Sequence, residues 1–214
     1  MCLIETICDS IHNPIENFQA IFKTNSKGHY RHGGIHGLCV LVKNEKAHLI
    51  TVIENTKSET TLWLKVDSQA FGVGFIIGSV YIPSKGSIHH DPEHFEDIAD
   101  DLINFKVNFD LPVILIGDLN SRTGTIPDVL DIEVEQDTDD GERINSDIVH
   151  QLGLTERSNK DLKINNNGRK LIILCKTTGL ILTNGRVGKD SGIGQTTCRT
   201  ANGESTIDYA LVSF

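Results

Sequence analysis

The side chains best suited to chemistry follow a short apolar run near the middle of the chain. Val113 to Ile116 carry no polar side chain, which is typical of a strand buried on both faces of its sheet. Gly117 ends this run, and an acid, an amide and a guanidinium follow it, namely Asp118, Asn120 and Arg122. Because α/β folds usually place binding and catalytic groups at the carboxyl ends of strands, we predict a functional site here.

The spacing of Asp118 and Asn120 admits two interpretations. In extended geometry, side chains two positions apart leave the same side of the backbone, so the carboxylate and the amide would face one substrate together. Alternatively, the two residues form an Asx-type turn and only satisfy local backbone groups. This segment favours the functional interpretation but leaves both open.

The composition is that of an ordinary globular protein. Of the 214 residues, 38% are apolar and 23% are charged, and the length predicts a single domain over residues 1–214. No apolar run approaches the roughly 18 residues of a membrane span, and no signal peptide is visible. Five scattered cysteines without C-x-x-C spacing predict reduced thiols, not a disulfide or zinc framework. We therefore expect an intracellular protein, nuclear or cytoplasmic, without a membrane segment.

The charge is unevenly distributed. The formal net charge is −9, yet eight carboxylates and no basic residue lie between Asp128 and Glu142, so the rest of the chain carries −1. Such a run predicts a solvated surface loop. A net negative charge argues against a nucleic-acid ligand, but the nearly neutral remainder neither supports nor excludes a phosphate-bearing substrate.

The elements before and after the central run predict an α/β scaffold. Four strand-like runs precede it: Ile35 to Lys43, His48 to Glu54, Thr61 to Asp67 and Gly74 to Pro83. Asp91 as N-cap and Pro92 as first helical residue predict a helix. Its apolar stripe consists of Phe95, Ile98, Leu102 and Phe105. The order strand, helix, strand implies a crossover connection, whereas Asp9 to Thr24 predicts only a weak helix or an irregular connection.

The second half of the chain predicts shorter elements. These are helices at Ile144 to Leu152 and Gly168 to Thr178, a strand at Leu180 to Thr183, and two strands, Thr196 to Arg199 and Ser205 to Val212, around an Asn202-Gly203 turn. Asn167 and Gly179 are the expected caps of the second helix. Asp208 stands among apolar neighbours and needs a partner that the local sequence does not supply.

Histidines concentrate in two places without predicting a metal site. His29, His32 and His36 lie in a glycine-rich loop where no cysteine or acid completes a ligand set. The histidines between His89 and His94 lie at the start of the first predicted helix, where solvent-facing or capping roles explain them.

Four segments carry a family resemblance when they are taken together. They are CLIET (Cys2 to Thr6), SVYIP (Ser79 to Pro83), GDLNSR (Gly117 to Arg122) and STIDYALVS (Ser205 to Ser213). In this order they resemble the endonuclease/exonuclease/phosphatase superfamily of deoxyribonuclease I, and most of all the endonuclease domains of non-LTR retrotransposons. The resemblance covers nearly the whole chain. It implies an α/β fold, the deoxyribonuclease I-like four-layer sandwich of two mixed β-sheets flanked by helices.

The resemblance also implies hydrolysis of phosphodiester bonds in DNA with Mg²⁺ or Mn²⁺ as cofactor. Glu5 would hold the metal, because hard cations bind through one or two carboxylates with waters and substrate oxygens. Asp118 would orient or deprotonate the attacking water, and Asn120 would donate a hydrogen bond to a phosphoryl oxygen. Tyr81 would offer its phenol to the same phosphate, and Asp208 would orient a histidine.

Each of these residues also has a simpler interpretation. Glu5 could be an exposed acid, Tyr81 a core or edge aromatic, and Asp208 a charge at a strand edge. Their joint occurrence in the family's order favours the functional interpretation.

The ends of the chain depart from the family's pattern. Members of the family begin with a strand whose asparagine supports the metal site and end with a Ser-Asp-His segment that carries the catalytic histidine. We therefore expect a chain that is truncated at both ends and has an unpaired sheet edge that lowers its stability. Two other functions stay open: a catalytically dead relic that acts as a binding domain, and a phosphatase of the same fold for phosphoinositides or other small phosphoesters.

Overall fold

The computed structural model describes residues 2–6, 15–24, 37–129 and 156–213. The strands in these ranges are β1 (Cys2–Thr6), β2 (Phe18–Thr24), β3 (Gly37–Lys43), β4 (Ile50–Val52), β5 (Thr61–Val66), β6 (Phe75–Tyr81), β7 (Val113–Asp118), β8 (Ile181–Leu182), β9 (Cys198–Thr200), β10 (Gly203–Ser205) and β11 (Asp208–Val212). The helices are α1 (Ser68–Phe71), α2 (His94–Asn108) and α3 (Asn166–Thr178), with 3-10 turns at Asn44–Leu49 and Gly188–Asp190. In the described ranges, no helix has the length and apolar character needed to cross a membrane.

A six-stranded sheet is the centre of the fold, with its strands in the order β4-β5-β6-β7-β11-β8. Strands β6 and β7 are parallel, and α2 makes the crossover between them. The other neighbouring pairs of this sheet are antiparallel. The predicted strand, helix, strand unit is therefore confirmed.

The main core lies between one face of this sheet and the helices α2 and α3. The predicted apolar stripe of α2 is buried there: Phe95, Ile98, Leu102 and Phe105. Trp63 of β5 is 1% exposed and packs edge-on against Phe105, with ring centroids 5.0 Å apart. Its indole N–H donates to the Asp101 carboxylate at 3.0 Å, so the ring is buried without an unsatisfied donor.

A smaller antiparallel sheet, in the order β1-β3-β2, covers part of the opposite face. The contact is a second apolar cluster of Leu38, Leu62 and Leu64. Successive side chains of β5 point to opposite faces, so Leu62 and Leu64 join this cluster and Trp63 packs on the helical side.

The prediction that β7 is buried on both faces is wrong for the face that carries Ile114, which is half-buried, and Ile116. Val113 and Leu115 face the helices and are 6% and 0% exposed, but Ile116 on the other face is 38% exposed. The cluster under the smaller sheet draws its side chains from β4, β5 and β6 of the larger sheet. The face of β7 at Ile116 lies beyond that cluster.

Long-range pairing overrides the local pattern in β2. The range Phe18–Thr24 is a strand, not the expected weak helix or irregular connection, because it pairs with β3 along its whole length. Ile21 packs against the second apolar cluster, which stabilises the extended conformation.

Helix α2 begins later than predicted. It starts at His94, and the carboxylate of Asp91 accepts a hydrogen bond from the Glu93 backbone N–H at 2.9 Å in the preceding turn. Asp91 therefore caps a turn and not the helix. The start of α3 is also shifted. Its N-cap is Asn165 and not Asn167, whereas Gly179 with φ 74° ends the helix as predicted.

The end of the chain contains a hairpin and a separate strand. Strands β9 and β10 pair around Ala201 and Asn202, close to the predicted Asn-Gly turn. The predicted single strand from Ser205 to Val212 is wrong, because its second part leaves the hairpin and enters the larger sheet as β11, between β7 and β8.

Asp128 contradicts the predicted solvated acidic loop at the first residue of that run. It is 1% exposed and forms a buried ion pair with Arg186, at 2.7 Å between Oδ2 and Nη1. The remainder of the run from 130 onward lies outside the described residues. So do the helix predicted at 144–152 and the histidine-rich loop at 27–36.

Candidate active site

Three predicted site residues lie side by side at one edge of the larger sheet. Tyr81 ends β6, Asp118 ends β7 and Asp208 begins β11. In the strand register Tyr81 is opposite Asp118, and Asp118 is opposite Asp208. Neighbouring strands are about 4.8 Å apart, and register partners project from the same face of a sheet. The fold therefore brings together residues that are far apart in the sequence.

Tyr81 also contributes to packing. Its half-buried ring lies against the apolar cluster of Leu38, Leu62 and Leu64, so the shared face of the three residues is the one toward the smaller sheet. The structural interpretation of Tyr81 as a core aromatic is therefore correct, and it does not conflict with a second role at the edge of that core.

Gly117 allows β6 and β7 to approach each other next to Asp118. Its φ is 154°, and a Cβ atom at this position would lie 1.9 Å from the backbone oxygen of Val80. Any side chain would push the two strands apart. The glycine that ends the apolar run is thus required by the position of the acid that follows it.

Asp118 and Asn120 form the Asx-type turn that the sequence left open. The Asn120 backbone N–H donates to Oδ1 of Asp118 at 2.7 Å, and Asn120 has a left-handed φ of 45°. The extended arrangement of the two residues is therefore wrong. The Asn120 side-chain Nδ2 donates to the carbonyl oxygen of Ile82 at 2.9 Å, one residue beyond Tyr81. The amide thus bridges the ends of β6 and β7 beside the aligned acids.

Asp208 lies beside an open groove of about 460 Å³ on the same face of the sheet. Its backbone is fixed by two side chains: its N–H donates to Oγ1 of Thr197 at 3.1 Å, and its carbonyl accepts from Nδ2 of Asn184 at 3.0 Å. In the part of the chain that the structure describes, no side chain donates to its carboxylate. The carboxylate therefore borders the groove with its backbone held in place.

Glu5 lies in β1, whose backbone pairs with β3 and which runs against β6. The strand of the predicted metal ligand thus borders the strand that carries Tyr81. The Glu5 side chain lies outside the described residues.

Arg122 is held in a two-point ion pair with Asp161. Its Nε donates to Oδ2 at 2.7 Å and its Nη2 to Oδ1 at 2.5 Å. Asp161, 4% exposed, also accepts from the backbone N–H of Thr206 at 3.0 Å. Burial opposes ionisation of Asp161, but the hydrogen bonds from Arg122 and from backbone amides hold its pKa below the ordinary value. The pair fastens the loop after β7 to the segment that leads into β11.

The buried side chain of Tyr209 also holds the loop after β7. Its ring is 2% exposed, and its hydroxyl lies 3.1 Å from the carbonyl of Ser121 and 3.0 Å from that of Thr206. Burial raises the pKa of Tyr209, so the phenol stays protonated and can donate. The strand that supplies Asp208 thus also supplies the support of the loop that follows Asp118.

The polar side chains that the structure describes at these strand ends offer oxygen atoms as metal ligands. Asp118 and Asp208 contribute carboxylates and Asn120 an amide, which is the chemistry that Mg²⁺ and Mn²⁺ prefer. Within the described ranges, no three His, Cys, Asp or Glu side chains cluster as a complete metal site. This set fits a hard cation held by one or two carboxylates, with water and substrate supplying the rest.

Three supporting residues have no role in the sequence-based prediction: Asp161, Asn165 and Asn184. Asn184 joins β8 to β11, since it donates to the Asp208 carbonyl and accepts from the Ala210 N–H at 3.1 Å. Their residue types are the sequence signal for such a supporting role, because Asn and Asp side chains beside turns and helix starts commonly bind backbone groups. Their partners are distant in sequence, so that signal does not identify what they hold.

Comparison with known proteins gives a family and a fold. Residues 1–213 match the Endonuclease/Exonuclease/phosphatase family, whereas no curated protein has significant sequence similarity to the chain. The fold is similar to that of the human nocturnin catalytic domain with bound sulfate, at 11% identity and a TM-score of 0.51. The match covers 92% of this chain and 61% of that one, so the chain spans less than two thirds of that domain.

Two other solved structures are similar at lower scores. The endonuclease domain of TRAS1, a telomere-specific non-LTR retrotransposon, is 12% identical, with a TM-score of 0.49 and coverage of 93% of this chain and 68% of that one. A mannosyl-6-phosphatase of Bacteroides thetaiotaomicron has the same identity of 12% and TM-score of 0.49, with coverage of 93% and 64%. The predicted α/β, deoxyribonuclease I-like fold is confirmed by the nocturnin match and the family match together. The chain belongs to the Endonuclease/Exonuclease/phosphatase family, whose members hydrolyse phosphodiesters or phosphate esters.

Proposed function

We propose that this chain is a metal-dependent phosphodiesterase, specifically a DNA endonuclease domain of the type encoded by non-LTR retrotransposons. The observation that carries the proposal is the shared register of Tyr81, Asp118 and Asp208 on adjacent strands. A phenol, two carboxylates and the nearby Asn120 amide then lie at neighbouring strand ends, and Asp208 borders an open groove. Hydrolysis of a phosphodiester is accelerated by this combination of a base for the attacking water and hydrogen-bond donors to the phosphate.

Asp118 is the proposed base that orients or deprotonates the attacking water. Its Oδ1 accepts the Asn120 N–H, which fixes the plane of the carboxylate and keeps its rotamer constant. Asn120 is the proposed donor to a phosphoryl oxygen. An amide NH₂ has two donor hydrogens, and Ile82 takes one of them, so the second is left for a substrate.

Tyr81 is the proposed second donor to the phosphate, held by its packing against the second apolar cluster. Asp208 is the proposed acid that orients a histidine beside the leaving group. Its carboxylate borders the groove, while Thr197 and Asn184 fix its backbone.

Glu5 is the proposed ligand of Mg²⁺ or Mn²⁺, on a strand that borders β6. A bound divalent cation would polarise the phosphate and neutralise the charge that develops on it. The protein's own contribution is to place carboxylates and donors around that phosphate before the reaction begins.

The test is a plasmid-nicking assay in Mg²⁺ with the protein and its Asp118→Asn variant. The matched control is Asp110→Asn. It makes the same chemical change in an aspartate that precedes β7 instead of ending it, and that forms only an exposed ion pair with Lys106. We expect nicking that Asp118→Asn reduces at least about 100-fold, in line with the loss of a general base, and that Asp110→Asn leaves unchanged.

Three results decide against the proposal. Equal nicking by the protein and Asp118→Asn would assign the activity to another source. Hydrolysis of p-nitrophenyl phosphate without any nicking would indicate the phosphatase alternative. Absence of both activities in folded protein with Mg²⁺ or Mn²⁺ would indicate a binding domain.

A further inference from the structure

Asn165 connects the first turn of α3 to the loop that carries Asn120. Its Oδ1 accepts the backbone N–H of Gly168 at 2.7 Å, which makes Asn165 the N-cap of the helix. The same oxygen accepts the Arg122 N–H at 2.9 Å, and Nδ2 donates to the carbonyl oxygen of Asn120 at 2.9 Å. The side chain of Asn165 therefore binds the first turn of α3 and two residues of the loop, Asn120 and Arg122.

The loop needs such support because Asn120 is left-handed, with φ 45°. A non-glycine residue in this region costs roughly 1 kcal/mol or more and persists only where its surroundings fix it. The Asn120 N–H is fixed by Asp118 and its carbonyl by Asn165. With both ends of the residue held, the side chain keeps the direction in which it bridges to Ile82.

Backbone contact brings the helix directly onto the loop. A Cβ atom on Gly168 would lie 1.9 Å from the backbone oxygen of Arg122, so the first turn of α3 touches the loop backbone. The Asn165 N–H also donates to that oxygen at 3.0 Å. These contacts make the helix start and the loop one rigid unit.

We infer that Asn165 is a positioning residue for Asn120, acting through its side-chain N–H on the Asn120 carbonyl. The catalytic consequence rests on the proposed role of Asn120 as a donor to the phosphate. The geometry requires an amide: a carboxylate at position 165 would still accept from Gly168 and Arg122, but it would place an oxygen against the Asn120 oxygen.

The variant that isolates this contact is Asn165→Asp. Aspartate is as good an N-cap as asparagine, so the helix start keeps its cap while the donor to Asn120 is lost. Asn165→Ser is the second variant, because serine also caps helices but is too short to reach Asn120 while doing so. The matched control is Asn108→Asp. The exposed Asn108 amide also donates to a backbone carbonyl, that of Asn104 at 2.9 Å, but it lies at the last residue of α2 and does not contact the loop.

Two readouts are measured on each variant. Amide hydrogen exchange at Asn120 reports the loop without any substrate, and we expect it to be at least about tenfold faster in both Asn165 variants than in Asn108→Asp. The kcat for nicking should fall about 10- to 100-fold with KM changed less than twofold, because a donor that acts in the transition state is misplaced. Thermal unfolding confirms that every variant is folded at the assay temperature.

The two readouts separate failure of the inference from failure of the proposed function. Unchanged exchange at Asn120 in both Asn165 variants would overturn the inference whatever the activity. Faster exchange with unchanged kcat would overturn the positioning role in an active enzyme. If the protein itself does not hydrolyse phosphoesters, the proposed function fails, and the exchange rates alone decide whether Asn165 holds the loop.

Discussion

Removing the carboxylate of Asp128 should destabilise the protein strongly, although the residue opens a highly acidic run. Its oxygens accept from Nη1 and Nη2 of Arg186 at 2.7 and 2.9 Å. Oδ2 also accepts the Leu182 backbone N–H at 2.9 Å, which ties the segment after β7 to β8. The side chains of the acid and the guanidinium are 0% and 5% exposed, so water cannot replace the lost partner.

The magnitude follows from what Asp128→Ala leaves behind. The Arg186 guanidinium would remain in the interior without its counter-charge, and the Leu182 N–H would lose its acceptor. Breaking a buried pair on one side costs about 3–5 kcal/mol, out of the 5–15 kcal/mol typical of a whole domain. With an m-value of about 2 kcal/mol per molar urea, the midpoint of unfolding should fall by about 1.5–2.5 M.

Urea unfolding followed by circular dichroism is the assay, with a double variant as the internal test. Asp128→Leu combined with Arg186→Met removes both charges and should lie within about 1–3 kcal/mol of the parent protein, because only the Leu182 N–H stays without its acceptor. The control is Glu45→Ala, which breaks an exposed 3.9 Å contact with Lys43 and should cost less than about 0.5 kcal/mol. A loss below about 1 kcal/mol in Asp128→Ala would refute the reasoning, because it would mean that the pair is solvated.

Three further changes test the supports of the site. Tyr209→Phe removes a buried hydroxyl whose single hydrogen has two carbonyl acceptors within reach, those of Ser121 and Thr206, and should lower the unfolding free energy by about 1–3 kcal/mol in urea; no change would mean that water takes the place of the hydroxyl. Gly117→Ala places a Cβ atom 1.9 Å from the Val80 oxygen and should cost about 2–5 kcal/mol from strain and overpacking, measured as a lower Tm; a Tm equal to that of the parent would contradict the close approach. Because the pKa of Asp161 is lowered in the folded state, its contribution is fully present above about pH 4, the ordinary Asp pKa, and is lost as pH falls through the folded value. The stability gap between the parent and Asp161→Asn should therefore be constant at neutral pH and shrink below about pH 4 in urea titrations, and a gap independent of pH would exclude the ion pair with Arg122 as its source.

Strong local patterns of residue types are enough to predict several elements of this fold. The apolar stripe from Phe95 to Phe105 predicted α2, because the spacing of buried side chains follows directly from helix geometry. The apolar run predicted β7, which extends one residue past Gly117, so Asp118 is its last residue. The family motifs predicted that the ends of β6, β7 and β11 contribute to one site, and the register aligns Tyr81, Asp118 and Asp208 there.

Contacts between segments that are distant in sequence depend on the three-dimensional fold. Phe18–Thr24 became a strand because β3 supplies its hydrogen bonds, which its own residues do not indicate. Asp128 is buried although it begins the acidic run, because Arg186 supplies a counter-charge within hydrogen-bonding distance. Asn120 became left-handed, with Asp118 and Asn165 holding its two backbone groups. In each case a partner far along the chain changed the free energy of a local conformation, and local sequence patterns contain no information about where that partner will lie.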